Sequence, residues 1–135
     1  MQRHIRNIGR IDISALYYPP EKHEYEVARY FAKMGFSIVF IKPRSIKGVH
    51  TPDFVMNNKN WEVKSPKVYG KSSFEYNCRK AQKQSEHIIF DLRRLGVIDS
   101  QKYLNELMKW NATTKIKTLL VITKDGKLLD VKGKF

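Results

Sequence analysis

A single cysteine, Cys78, stands in this chain of 135 residues. One thiol closes no internal disulfide and builds no thiolate zinc site, so neither staple is available to the fold. Long apolar runs are missing as well. Stretches such as Phe36 to Ile41 and Leu119 to Ile122 stop far short of the ~18–20 apolar residues that a membrane-crossing helix needs. Met1 to Arg6 carry charge with no apolar segment behind them, so no secretory signal of the usual kind is expected. No glycine-rich phosphate loop and no Ser-His-Asp order can be found, which removes two common kinds of chemistry. Acid is scarce beside base: 13 Asp and Glu face 26 Lys and Arg, a formal charge of +13.

What is present is enough apolar material for a core. At 41% hydrophobic residues, a chain of this length folds without metal or disulfide support, and a disordered basic tail is excluded. One domain over residues 1–135 is expected, with a basic arm at 1–18, a core at 19–95 and a C-terminal helix and hairpin at 96–135. The surplus of Lys and Arg points to a polyanion. Nucleic acid is the first choice and an anionic membrane surface the second, against the plainer reading of solubility alone. Arg3, Arg6 and Arg10 form an acid-free arm. Lys64, Lys67, Lys71, Arg79, Lys80 and Lys83 have only Glu75 among them.

Hydrophobic periodicity and turn residues predict a helix over Glu21 to Met34, ended by Gly35, then a strand over Phe36 to Lys42 ended by Pro43. A loop from Arg44 to His50 contains Gly48. Two short strands follow, Asp53 to Met56 and Trp61 to Ser65, joined by the polar turn Asn57 to Asn60. After a loop, a helix is expected over Phe74 to Glu86, with Phe74, Cys78 and Ala81 inward and a basic outer side. A strand over His87 to Leu92 and a helix from Ser100 to Trp110, opened by Asp99 or Ser100, come next. A core strand at Lys115 to Thr123 and an Asp125-Gly126 turn into Leu128 to Val131 complete the order. The class is α/β, a mixed central sheet flanked by helices.

Chemistry concentrates in Thr51 to Ser65. Side chains alternate along a strand, so Glu62 and Lys64 share one face. If Met56 opposes Trp61 across a four-residue turn, Asp53 faces Lys64, and Asp53, Glu62 and Lys64 all project to one side. A register of the other parity would separate Asp53 from them. Two carboxylates converging beside an ammonium are costly to desolvate as plain structure. With the backbone carbonyl of Val63 they form a donor set suited to Mg²⁺ or Mn²⁺, which favours phosphate substrates. The alternative is an exposed hairpin with an ordinary Lys-Glu pair. Glu24 lies on the apolar stripe of the first helix, yet its position equally suits a partner for the helix dipole in an exposed first turn.

Pro52-Asp53 followed by Glu62-Val63-Lys64, between a Glu-bearing helix and a basic one, resembles the signature of the PD-(D/E)XK nuclease superfamily and its αβββαβ core. The likeness spans about Glu21 to Leu92. It implies Asp53 and Glu62 as metal ligands, Lys64 as the catalytic lysine and Glu24 as a fourth member. More narrowly, Glu62-Val-Lys-Ser-Pro66, Arg79-Lys-Ala-Gln-Lys-Gln-Ser85 and Ile88-Ile-Phe-Asp-Leu92 are similar to the C-terminal tRNase domains of CdiA-type contact-dependent growth-inhibition toxins. That resemblance implies a small basic domain delivered by a larger secreted protein, cutting RNA in the cytoplasm of a recipient bacterium and held in check by a cognate immunity protein.

On the second expected helix, Asn77, Lys80 and Gln84 lie at i, i+3 and i+7 and form a polar stripe, flanked by Arg79 and Lys83; a solvated face explains them equally well. The resemblance puts a helix glutamine, here Gln84, near the active face. Ser65, Lys67 and Lys71 are candidates for positioning phosphate, and His50 for reaching the scissile group. Tyr69, Phe74 and Tyr76 are candidates for stacking on bases, with Phe74 more naturally in the core. Tyr17 and Tyr18, beside two prolines, are candidates for surface anchors, with a packed arm the preferred reading, and Cys78 reads as buried and inert. The expectation is a metal-dependent endonuclease acting first on tRNA. A DNA endonuclease of the restriction, resolvase or mobile-element kind is the alternative, and a noncatalytic nucleic-acid-binding domain the reading from another class.

Overall fold

Val27, Ala28, Phe31 and Ala32 recur on one face of helix α1 (Lys22–Lys33) and are all buried, which seats that helix against a sheet. The computed structural model describes residues 7–44, 50–133 and 135. The remaining elements are β1 (Ile11–Asp12), β2 (Ile38–Phe40), β3 (Phe54–Met56), β4 (Lys59–Lys64), α2 (Lys71–Gln84), β5 (His87–Asp91), α3 (Val97–Asn111), β6 (Thr118–Ile122) and β7 (Leu128–Lys132). The α/β class with a mixed sheet is as expected. Arg3, Arg6 and Gly48 lie outside the described residues.

All seven strands join one sheet in the order β1-β2-β3-β4-β5-β6-β7. β1 runs parallel to β2; β2, β3 and β4 form an antiparallel meander; β4, β5 and β6 are parallel; and β7 returns antiparallel. The parallel pairs need crossovers, and the helices supply them. Period-two alternation sorts the core into two layers. Ile38, Phe40, Phe54, Met56, Trp61, Val63, Ile89 and Leu120 pack with α1. Ile88, Phe90, Leu119 and Val121 face the other way, against Phe74, Cys78 and Ala81 of α2 and Tyr103 and Leu107 of α3. Trp61 and Val63 therefore point to the α1 side, and Glu62 and Lys64 to the α2 side.

The β3–β4 hairpin departs from the expected register. Phe54 pairs with Trp61, Val55 with Asn60 and Met56 with Lys59, so the turn has two residues rather than four. Asn57 and Asn58 both adopt positive φ, 52° and 62°, the conformation of the tight hairpin turn that matches strand twist. The shift is two residues, an even number, so parity survives. Asp53 comes opposite Glu62 instead of Lys64, and the three side chains keep to one face.

Other boundaries moved for local reasons. β1 was expected only as part of a basic arm; two residues are too few to show a pattern. Its approach is close, since a Cβ on Gly9 would overlap the carbonyl of Phe36, and the Gly9 N–H donates to the Ala32 carbonyl at 2.8 Å. α2 opens at Lys71, not Phe74, because the Phe74 N–H already donates to the Gly70 carbonyl. Neither Asp99 nor Ser100 opens α3, which starts after Gly96. Ser100 Oγ donates to the Val97 carbonyl within the helix, and Asp99 Oδ2 accepts the Tyr69 N–H, so neither side chain is left for a cap.

Candidate active site

The ladder between β3 and β4 ends at Phe54 and Trp61, and beyond it the Asp53 carboxylate takes over a main-chain donor: Oδ2 accepts the Val63 N–H at 2.7 Å. That bond draws the Asp53 side chain along β4 toward Glu62. Glu62 is only 2% exposed, and its Oε2 pairs with Lys64 Nζ at 2.8 Å. Its other oxygen, Oε1, is buried and has no hydrogen-bond partner among the described residues. Glu24, in the first turn of α1, lines the same cleft as Asp53, close enough for the Asp53 charge to act on its carboxyl. Glu21, Glu24, Asp53, Glu62, Val63, Lys64 and Ser65 line an open cleft of about 350 Å³, with Asn77 from α2 on its wall.

The electrostatics follow from crowding. Burial, then the adjacent Asp53, pushes Glu24 up to about 7. Asp53 is also pushed up to about 7, by burial and then by the charge of Glu62, with the Val63 N–H pulling the other way. Burial raises Glu62 as well, against the opposing pull of the Lys64 ammonium. Three carboxyl groups thus share one ammonium. Protons relieve the excess negative charge near neutral pH, and a cation of higher charge would relieve it better.

A hard divalent cation fits this donor chemistry. The orphaned Glu62 Oε1 is a buried oxygen that still needs a partner, and carboxylate oxygens are the ligands such ions prefer. Among the described residues no three or more metal-ligating side chains stand ready-made in coordinating geometry, so any ion would complete its shell with water or main-chain oxygen.

Lys64 is held from two directions. Besides Glu62, its Nζ donates to Gln84 Oε1 at 3.0 Å, which brings the last turn of α2 into the site. An ammonium has three donors, and these contacts use two of them. Gln84 was expected near this face. Lys80, on the same expected stripe, is exposed, whereas Asn77 is half-buried and bonds to the Tyr103 hydroxyl at 3.2 Å.

The outlying candidates fall into two groups. Ser65 lines the cleft, with its Oγ buried and unpartnered. Lys67 lines a separate, adjoining cavity of about 780 Å³ together with Lys22, His23, Arg93 and Arg94. Lys71, Arg79, Lys80 and Lys83 are exposed along α2 and stay out of the carboxylate cleft. The cations of Arg79 and Lys80 stand 5.9 and 5.3 Å from the ring centre of exposed Tyr76. His50 is exposed and does not line the cleft. Phe74 is in the core, Tyr69 packs edge-on to Tyr103, and Cys78 is buried, its thiol pushed up to about 12 by burial.

Sequence reading passed over Arg93 and Arg94. Arg93 makes two 2.9 Å bonds to Asp91, and Arg94 Nη1 donates to the Ser65 carbonyl at 3.1 Å, tying the end of β5 to the end of β4. No local signal marks them: they are brought in because β4 and β5 are parallel with Lys64 opposite Phe90, and residues just past the carboxyl ends of neighbouring parallel strands converge. Tyr17 and Tyr18 correct another expectation. They are exposed and not packed into an arm.

Comparison with known proteins bears on the fold and the family. No curated protein sequence gives a significant match. A solved structure, the CdiA-CT/CdiI toxin and immunity complex from Burkholderia pseudomallei, shares the fold with a TM-score of 0.65 at 16% identity, covering 92% of this chain and 99% of that one. The family model for the contact-dependent growth inhibition CdiA C-terminal domain matches residues 50–128, more than half of the chain and all of β3, β4 and α2. The chain therefore belongs to the CdiA C-terminal domain family of contact-dependent growth inhibition.

Proposed function

We propose that the chain is a metal-dependent endonuclease of PD-(D/E)XK type and the toxic domain of a contact-dependent growth-inhibition system. The observation that carries this reading is the convergence of Asp53, Glu62 and Lys64 from adjacent strands with Glu24 and Gln84 from the flanking helices. A surface that only binds phosphate has no use for three clustered carboxyls, because they repel it.

Asp53 and Glu62, with the Val63 carbonyl, are the groups that would hold Mg²⁺ or Mn²⁺. Such an ion supplies Lewis-acid polarisation of a phosphate oxygen and a more acidic water. The reaction is phosphodiester hydrolysis: a water oxygen bonds to phosphorus, the P–O ester bond breaks, and the leaving oxygen is protonated. Lys64, fixed by Glu62 and Gln84, has one donor left to orient the water or to meet charge growing on the phosphate. Glu24, with its carboxyl proton available near neutral pH, steadies Asp53 and takes part in proton movement.

Ser65 and the basic groups Lys67, Lys71, Arg79, Lys80 and Lys83 then position the strand through its phosphates. RNA is the first substrate, tRNA in particular, and DNA the second. The partner of the solved relative, an immunity protein, is the kind of partner proposed here too, acidic where it covers the basic cleft. The place of action is the cytoplasm of a recipient cell.

The test incubates purified protein with total tRNA, duplex DNA and single-stranded DNA, with Mg²⁺ or with chelator, beside Asp53→Ala and Lys64→Ala. Cleavage of tRNA that chelator and both substitutions abolish is expected. Undiminished cleavage in chelator would end the metal mechanism, and cleavage of duplex DNA alone would end the tRNase reading. Binding without cleavage, equal in all three proteins, would leave a noncatalytic domain.

A further inference from the structure

Tyr17 and Tyr18 are 83% and 84% exposed, two adjacent large rings left in water beside Pro19 and Pro20. They stand at the rim of a cavity of about 480 Å³ whose walls include Leu16, Phe40, Ile41 and Pro43. That volume falls within the ~300–1,000 Å³ usual for pockets that take small organic groups. Glu24 and Asp53 line this cavity and the carboxylate cleft alike, so the two spaces adjoin at these carboxyls. Lys42 stands at the lip, its Nζ 4.4 Å above the centre of the Tyr17 ring and donating to the Tyr17 hydroxyl at 3.4 Å. A cation, two exposed aromatic rings and an apolar hollow therefore lie together beside Glu24 and Asp53.

We propose that this cavity is a base-binding subsite that takes one unpaired nucleobase from the nucleotide flanking the scissile phosphate, stacked on Tyr17 or Tyr18, with Lys42 meeting the neighbouring phosphate. The subsite rests on the nuclease reading and sharpens it. Aromatic stacking accepts any base, because every base has a π-face. Glu21, on the same wall, is an acceptor of the kind that an exocyclic amine needs. A paired base cannot enter without leaving its helix, which costs a few kcal/mol. The site therefore selects loops, ends and other single-stranded segments over duplex.

The test uses Lys64→Ala as a parent that binds without cutting, since Lys64 does not line this cavity. A short single-stranded RNA is compared with the same RNA carrying an abasic position opposite the subsite, located by moving the abasic position along the strand. Adding Tyr17→Ala and Tyr18→Ala together weakens binding of the intact RNA by roughly tenfold, the scale of one lost base stack, and leaves the abasic RNA unchanged. Tyr17→Phe, which keeps the ring, retains most of the affinity. Both tyrosines are exposed, so an unchanged melting temperature is expected and is the folding control. Equal binding of intact and abasic RNA at every position, or an equal loss for both in the double variant, would overturn the subsite alone. A parent that binds no RNA would overturn the ribonuclease reading and the subsite with it.

Discussion

Gln84 Oε1 accepts a 3.0 Å hydrogen bond from Lys64 Nζ, so the last turn of α2 sets the position of an ammonium on β4. A glutamine in this role touches no substrate; it is a positioning residue.

Replacing Gln84 by Ala frees Lys64 to swing with Glu62 as its remaining partner. On the proposed function, kcat falls by about 10- to 100-fold with little change in KM, the pattern of an interaction realised in the transition state. Gln84→Glu keeps an acceptor and restores part of the rate. Steady-state kinetics on tRNA separate this from a loss of substrate binding, which would raise KM instead.

The clustered carboxyls make stability depend on pH in a definite direction. Glu24 and Asp53 titrate near 7 when folded and near 4 when unfolded, so each favours the fold most at low pH and loses that contribution as pH rises through about 7. Metal-free protein is therefore expected to melt lower at about pH 8.5 than at about pH 6.5, by ~5 °C. His87, held below its ordinary value by burial, acts in the opposite sense under more acidic conditions, which is why the comparison stays at or above about pH 6.5. Asp53→Asn flattens the profile. Calorimetry at the two values checks both statements.

The tight turn at Asn57 and Asn58 holds the register that brings Asp53 opposite Glu62. Both residues sit at positive φ, where a β-branched side chain is strained by roughly 1–3 kcal/mol. Asn58→Val is expected to lower the melting temperature by several degrees, and Asn58→Gly to leave it unchanged or raise it. A neutral Asn58→Val would mean that the hairpin register is not set by its turn.

Lys71, Arg79, Lys80 and Lys83 are exposed on α2 and stand outside the carboxylate cleft. If they grip phosphate, replacing all four by Ala weakens binding most at low salt. The slope of log affinity against log salt then drops by about 0.7 for each lost contact to a single strand. Binding titrations across a salt series measure the slope directly. An unchanged slope would place the electrostatic footprint elsewhere, at Lys22, Lys67 and Arg94.

Legibility in the sequence followed the strength of local signals. α1 was readable because Val27, Ala28 and Phe31 repeat at helical spacing, and β6 because Leu119 to Ile122 is an unbroken apolar run that includes the β-branched Val121 and Ile122. The common face of Asp53, Glu62 and Lys64 was readable although the register was not. Parity depends only on whether the offset is odd or even, whereas register depends on the φ values of two asparagines. Glu24 stayed ambiguous for a physical reason: a carboxylate in a first turn satisfies the helix dipole equally well whether or not a site lies beside it. Arg93 and Arg94 were invisible because their role comes from the parallel pairing of β4 with β5, which joins residues about thirty positions apart. Tyr17 and Tyr18 were misplaced because nothing local distinguishes a packed aromatic from an exposed one.

The order of the strands has a consequence for how the molecule assembles. Each strand pairs only with the strands before and after it in the chain, and none is inserted between two earlier ones. The sheet can therefore grow by addition at an edge, with no finished pairing reopened to admit a later strand. Pairing can begin at either end of the strand order and still proceed neighbour by neighbour to the other, so the sheet has no single strand on which all the others must wait.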